Sequence, residues 1–314
     1  LLSGNAPSLC RGVEAVLAEG SSLPGLGRLM KDTSGYDMSQ LLIGSECTLG
    51  IITAASLRLF SAPGETATAW LAVGSPAEAL TLLDRLREDL GGSIVAFELI
   101  HVQGLAFLAE MLPDIPRPPE MSGPWRVLVE VADAAGAGPS GRLEAALAST
   151  LETGLVADGV LAQSEAQRTI FWRTRESIPE ANRLIGAITS HDISLPPSRL
   201  PDFVSEGGAR LAALDPEIRI NCFGHLGDGN LHFNTFPPVG GLRQTFEARR
   251  AEITRTVHDL VVSMGGSVSA EHGIGRLKAG DLARYGDPAK LAAMRAIKQA
   301  LDPKGILNPG VLFC

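Results

Sequence analysis

The chain predicts an α+β fold: an antiparallel sheet covered on one side by helices, of ferredoxin-like kind. Three observations carry this. Short β-rich runs alternate with amphipathic stretches along most of the 314 residues, and strand–helix–strand units repeated in this way bury a sheet face under helices. Val127, Val129 and Val131 form a period-2 stripe, the mark of a strand. Two β-rich runs, Ile218 to Phe223 and Leu231 to Phe236, flank a Gly227-Asp228-Gly229-Asn230 turn and read as a hairpin.

In chain order, residues up to about Phe60 alternate short strands and turns, and Ser61-Ala62-Pro63-Gly64 makes a boundary. Ala67 to Val73 reads as a strand. Ser75-Pro76-Ala77-Glu78 is a capping box with proline at the first helical position, opening a helix that Gly91-Gly92 stops. Ile94 to Leu99 and Trp125 to Ala132 are strands, with a Pro-rich loop from Pro113 to Pro124 between them. Arg142 to Thr153 is a helix and Leu155 to Gln163 a strand. Arg168 to Ile178 is helical, which sets Trp172 and Arg175 on one face. A strand follows through Ser190 to Leu195, then a helix after Pro197. Phe246 to Met264 is an amphipathic helix ended by Gly265-Gly266, with His258 read as solvent-side or structural. Asp287-Pro288 opens the last helix.

Two histidines flank the hairpin turn in Phe223-Gly224-His225-Leu226-Gly227-Asp228-Gly229-Asn230-Leu231-His232-Phe233-Asn234. About forty residues on comes Ser269-Ala270-Glu271-His272-Gly273-Ile274-Gly275. A hairpin would hold His225 and His232 near enough to share one ion. Two imidazoles and a carboxylate make a common zinc set that leaves a position open, and Glu271 is the third candidate. In an extended strand His272 would point away from Glu271, so one neighbour would be ligand and the other acid or base. From spacing alone, metal ligands and hydrogen-bonded structural histidines both stand.

These motifs, with the closing Ala300-Leu301-Asp302-Pro303-Lys304-Gly305-Ile306-Leu307-Asn308-Pro309-Gly310, resemble the C-terminal domain of FAD-linked oxidases. The branch is that of D-2-hydroxyglutarate and D-lactate dehydrogenases in the vanillyl-alcohol-oxidase-like superfamily. Lys31-Asp32-Thr33-Ser34-Gly35-Tyr36-Asp37 and Leu42-Ile43-Gly44-Ser45-Glu46-Cys47-Thr48-Leu49-Gly50-Ile51-Ile52-Thr53 look like the last part of that family's flavin-binding domain. The resemblance implies a remnant of the FAD-binding domain over residues 1–62 and a substrate, or cap, domain over 63–314, with 300–314 returning to the flavin domain. It implies oxidation of a D-2-hydroxy acid to a 2-oxo acid. FAD would pass the electrons to an acceptor such as a quinone or an electron-transferring flavoprotein.

Residue by residue, His225, His232 and Glu271 match metal ligands, and His272 the base that takes the substrate hydroxyl proton. Arg175 matches a carboxylate-binding arginine and Asn234 a substrate contact. Gly44, Ser45, Glu46, Thr48, Gly50, Ile52 and Asn308 match cofactor-binding positions. Zinc suits the ligand set, and manganese, cobalt or iron fit the same donors.

The departures bear on substrate and cofactor. Ser190 stands where close relatives carry lysine and Pro179 where a hydroxyl residue is common, so a smaller or more apolar acid competes with a dicarboxylate. Ser190 still donates a hydrogen bond to substrate but supplies no charge. Cys47 replaces a glycine beside the cofactor. The family's phosphate-binding loop has no counterpart, so tight FAD binding by this chain alone is not expected. A separate chain completing the flavin domain is one alternative; a non-redox or inactive fragment that keeps the metal site is the other.

Composition fits an enzyme. A net charge of −8 speaks against a nucleic-acid-binding face. No apolar run approaches the roughly 18 residues of a spanning helix. The four cysteines, Cys10, Cys47, Cys222 and Cys314, lack paired spacing, which suits a reducing cytosol, and a homodimer is carried as an expectation.

Overall fold

The computed structural model describes residues 6–26, 34–62 and 64–313. Residues 31–33 of the Lys31–Asp37 motif, Pro63 of the boundary, and Cys314 lie outside them. The chain divides into two compact units. One runs from Ala62 to Ala270; the other joins the residues before Ala62 to those from Glu271 onward, so the chain enters it again well ahead of residue 300.

Before Ala62 the elements are α1 (Ala6–Leu9), β1 (Cys10–Val16), β2 (Ser22–Leu23), α2 (Met38–Leu42) and β3 (Ile51–Leu57). Between Ala62 and Ala270 come β4 (Glu65–Val73), α3 (Pro76–Leu90), β5 (Ile94–His101), α4 (Val102–Met111) and β6 (Trp125–Asp133). They are followed by α5 (Pro139–Glu152), β7 (Asp158–Leu161), α6 (Glu165–Ile185), β8 (Asp192–Ser194) and α7 (Leu200–Leu214). Then come β9 (Arg219–His225), β10 (Asn230–Phe236) and α8 (Arg250–Ser263). Past Ala270 lie α9 (Ala279–Tyr285) and α10 (Pro288–Leu301). Among the described residues no helix is long and apolar enough to cross a membrane.

The larger unit is built on a seven-stranded sheet of order β7-β4-β6-β5-β9-β10-β8, antiparallel throughout. Its mixed α+β class is the expected one. The capping box forms: Ser75 Oγ accepts from the Glu78 amide, Glu78 Oε2 accepts from the Gly74 amide, and Gly91 ends α3 at φ 57°. Phe203 of α7 meets Phe233 of β10, with ring centroids 5.0 Å apart. On the opposite face Phe107 of α4 meets Phe236 at 4.6 Å, and Phe171 of α6 meets Trp70 at 6.0 Å. Residues 233 and 236 differ by an odd number and point to opposite faces. The helical cover expected on one face is therefore joined by α4 and α6 on the other.

Helix α4 has no counterpart in the sequence reading, because Gly104 interrupts its pattern. The glycine permits close packing: a Cβ there would lie 3.1 Å from the Asn221 side chain. Helix α6 is longer than expected and runs through Pro179 to Gly186, which caps it at φ 84°. The Phe246–Met264 stretch divides, with a 3-10 segment Arg243–Arg249 ahead of α8.

The smaller unit holds a three-stranded sheet of order β2-β1-β3. Val13, Ala15, Leu42 and Leu49 form its buried centre, with Ile297 and Leu301 of α10 against them.

Candidate functional site

The β9–β10 hairpin forms with His232 opposite Phe223 and Asn234 opposite Asn221. Its turn is a 3-10 segment, Leu226–Asp228, closed by Gly229 at φ 75°, where a Cβ would run into the Leu195 carbonyl at 2.2 Å. Period-2 alternation sets Asn221, Phe223 and His225 of β9 on one face, with His232 and Asn234 of β10 beside them. This is the face that α6 covers: the Arg175 guanidinium lies over the Phe223 ring, 5.0 Å from its centroid.

His225 and His232 are brought together, with ligand atoms within 4.8 Å of one another. Both imidazoles face carboxylates. His225 Nδ1 lies 2.6 Å from Glu98 Oε1, and His232 Nδ1 lies 3.7 Å from Asp192 Oδ1. The register explains both pairings, since Glu98 of β5 is opposite His225 and Asp192 of β8 is opposite His232. Metal-bound histidines are commonly oriented by a carboxylate on the second ring nitrogen. The donor set therefore fits a divalent ion.

Arg175 is also placed here, but its Nε donates to Glu98 Oε2 at 2.9 Å. That contact commits the Nε to Glu98. Burial pushes the Glu98 carboxyl up; the His225 hydrogen bond and the Arg175 charge outweigh it and hold the group below the usual carboxylate range. Trp172, three residues before Arg175 on α6, donates to Glu130 on the neighbouring strand at 2.7 Å.

Asn234 accepts from the His191 amide through Oδ1 at 3.0 Å. Ser190 is exposed, and the register of Thr189 with Thr235 and Asp192 with His232 puts it opposite Asn234. Behind this strand His191 Nδ1 meets His258 Nε2 at 3.0 Å, and His191 Nε2 meets Thr189 Oγ1 at 2.8 Å. His258 is thus buried and structural, not solvent-side.

Glu271 and His272 do not lie in a strand; they occupy a bend before Gly273 and Gly275, at φ 70° and 56°. Strand alternation therefore does not separate their roles. The preceding residue, Ala270, ends the larger unit and donates to the Asp192 carbonyl at 3.2 Å.

In the smaller unit four of the predicted cofactor residues, Gly44, Ser45, Glu46 and Thr48, share one tight turn. Gly44, Glu46 and Cys47 have φ of 80°, 51° and 58°. Thr48 Oγ1 donates to the Ser45 carbonyl at 2.7 Å, and Asn308 Nδ2 to the Glu46 carbonyl at 2.6 Å. The Glu46 carboxylate accepts from the amides of Ile274 and Gly275, at 2.7 Å each. Glu46, Thr48 and Asn308 thus hold the turn and the segment after His272. Gly50 is packed against Leu42, while Ile52 is largely exposed on β3.

Sequence reasoning passed over Glu98 and Asp192. Glu98 had a signal: it is the lone charge in the apolar run Ile94-Val95-Ala96-Phe97-Glu98-Leu99-Ile100.

The model for "FAD linked oxidases, C-terminal domain" matches residues 62–312. D-2-hydroxyglutarate dehydrogenase, mitochondrial, of Arabidopsis thaliana is 36% identical over 298 residues, covering 95% of this chain and 52% of the relative. The Bos taurus protein of the same name is 38% identical over 303 residues, covering 95% and 53%. The chain spans about half the length of these curated relatives. Among solved structures, p-cresol methylhydroxylase with substrate bound has a TM-score of 0.67 at 15% identity, covering 96% of this chain and 64% of that one, which shows a shared fold. The match over residues 62–312 makes this chain a member of the FAD-linked oxidase C-terminal domain family.

Proposed function

We propose that the chain handles the substrate in a flavin-dependent dehydrogenase that oxidises a D-2-hydroxy acid to a 2-oxo acid. The observation that carries this is the grouping of His225, His232 and Arg175 on one sheet face, with Glu98 between His225 and Arg175. A guanidinium fork suits a carboxylate. Arg175 therefore anchors the acid while Asn234 and Ser190 donate hydrogen bonds to it. His225 and His232 would hold a divalent ion, with Glu271 as the third ligand that the family resemblance implies, and the ion would supply Lewis acidity at the substrate hydroxyl. His272 takes the hydroxyl proton. The turn that contains Gly44, Ser45 and Thr48 would hold FAD, whose chemistry when bound would be that of a hydride acceptor. Zinc suits the nitrogen-rich donor set, and a quinone or a second flavoprotein serves as acceptor.

The relatives' printed names point to D-2-hydroxyglutarate. Ser190 and Pro179 point toward an acid with a smaller or less charged tail. The purified chain should retain about one divalent metal and lose it in His225→Ala and His232→Ala, while His272→Asn keeps the metal and stops turnover. A wild-type chain that takes up no metal would overturn the metal-assisted reading. The flavin spectrum of the same sample, with an artificial acceptor and a screen from D-lactate to D-2-hydroxyglutarate, tests the redox reading. A colourless protein that keeps its metal favours the non-redox alternative.

A further inference from the structure

Glu98 stands between two donors. Its Oε1 faces His225 Nδ1 at 2.6 Å, and its Oε2 accepts from Arg175 Nε at 2.9 Å. Its side chain is 6% exposed and that of Arg175 10%, so water screens the contact between them poorly. An ionised carboxylate only accepts hydrogen bonds, and a guanidinium only donates them. A neutral His225, the form that ligates a metal, must then carry its proton on Nδ1 and its lone pair on Nε2. We infer that Glu98 is a positioning residue that fixes the metal-binding tautomer of His225 and the orientation of Arg175 at once, coupling the ion's ligand to the substrate's carboxylate clamp. This rests on the proposed metal site and extends it to a residue that touches neither ion nor substrate.

The chemistry demands glutamate, because only a carboxylate offers two acceptor oxygens to two donors. Glutamine has one oxygen and one NH2. Turned with NH2 toward Arg175, it sets donor against donor, and arginine has no second protonation state with which to adapt. Turned with NH2 toward His225, it asks Nδ1 to accept, and imidazole obliges by moving its proton to Nε2. Glu98→Gln should therefore settle in the second arrangement, with the ligating nitrogen of His225 capped by hydrogen.

The test compares wild type, Glu98→Gln and the double variant Glu98→Gln/Arg175→Met. Each is stripped with a chelator and titrated with Zn2+ in competition with a chromophoric chelator. Long-range 1H–15N spectra at alkaline pH, where imidazole is neutral, read the His225 tautomer. The expected result is Nδ1–H in wild type, Nε2–H in Glu98→Gln, and a loss of Zn2+ affinity of about 10- to 100-fold, the range for such partners. In the double variant no guanidinium competes for the amide oxygen, so the introduced glutamine turns that oxygen to His225, and both tautomer and affinity should recover. A purely structural role predicts instead that the double variant binds no better than the single. Unchanged Zn2+ affinity in Glu98→Gln, or no recovery in the double, overturns the inference. Should Glu98→Gln not fold, the wild-type spectrum decides, since Nε2–H at His225 overturns it alone. A wild-type chain that binds no Zn2+ refutes the metal site itself, a separate outcome.

Discussion

Pro179 stands one helical turn after Arg175 within α6, so the Arg175 carbonyl lacks the amide hydrogen that position 179 would ordinarily donate. The residue proposed to hold the substrate carboxylate thus lies where the helix's own bonding is interrupted. Pro179→Ala would restore the bond and remove the ring's clash with the preceding turn. Proline in a helix interior costs up to about 3 kcal/mol against alanine, less about 0.4–1 kcal/mol for the freer unfolded chain. We expect a gain of up to roughly 2 kcal/mol, read from the urea midpoint. A loss would mean that the surrounding packing requires the kink.

Cys47 adopts φ 58° next to Glu46 at φ 51°, and its side chain is exposed. An L-residue in this region carries about 1–2 kcal/mol of strain that glycine avoids. Against this stands glycine's unfolded-state entropy, about 0.4–1 kcal/mol. Cys47→Gly should raise stability by roughly 0.5–1 kcal/mol in thermal or denaturant unfolding. A fall in stability would show that the thiol makes a packing contribution its exposure does not suggest.

The Glu46 carboxylate is the acceptor for the Ile274 and Gly275 amides. Glu46→Ala leaves both amides to water and should cost about 2 kcal/mol, the scale of hydrogen bonds to a charged group. Hydrogen exchange offers a sharper reading. Amides 274 and 275 should lose protection first, while those of β4–β6 keep theirs. Unaltered exchange at those two amides would contradict the assignment.

Burial pushes the Glu130 carboxyl up, but hydrogen bonds from Arg168, Trp172 and Thr68 outweigh it, and the group stays below its ordinary range. A depressed carboxyl contributes stability in full above its unfolded pKa, about 4.3, and loses it as pH falls through the lower folded value. Glu130→Gln should therefore be less stable than wild type at pH 7, and the gap should close as the pH drops below about 4. A gap that stays constant down to pH 2 would mean the penalty is steric rather than electrostatic.

The sequence alone determined what neighbouring residues decide among themselves. The Ser75 capping box, the Gly91 stop and the reversal that sets His225 near His232 follow from local φ preference, capping and period-2 alternation. Only the tertiary structure decided which distant groups meet. Glu98 lies 127 residues from His225, and Glu46 lies 228 residues from Ile274. Sheet order and loop packing choose those partners, and no local pattern encodes them. The same holds for Asp192 opposite His232 and His258 against His191. A charge within an apolar strand announces that a partner exists, because burying it alone is too costly; the identity of that partner comes from the strand that pairs beside it.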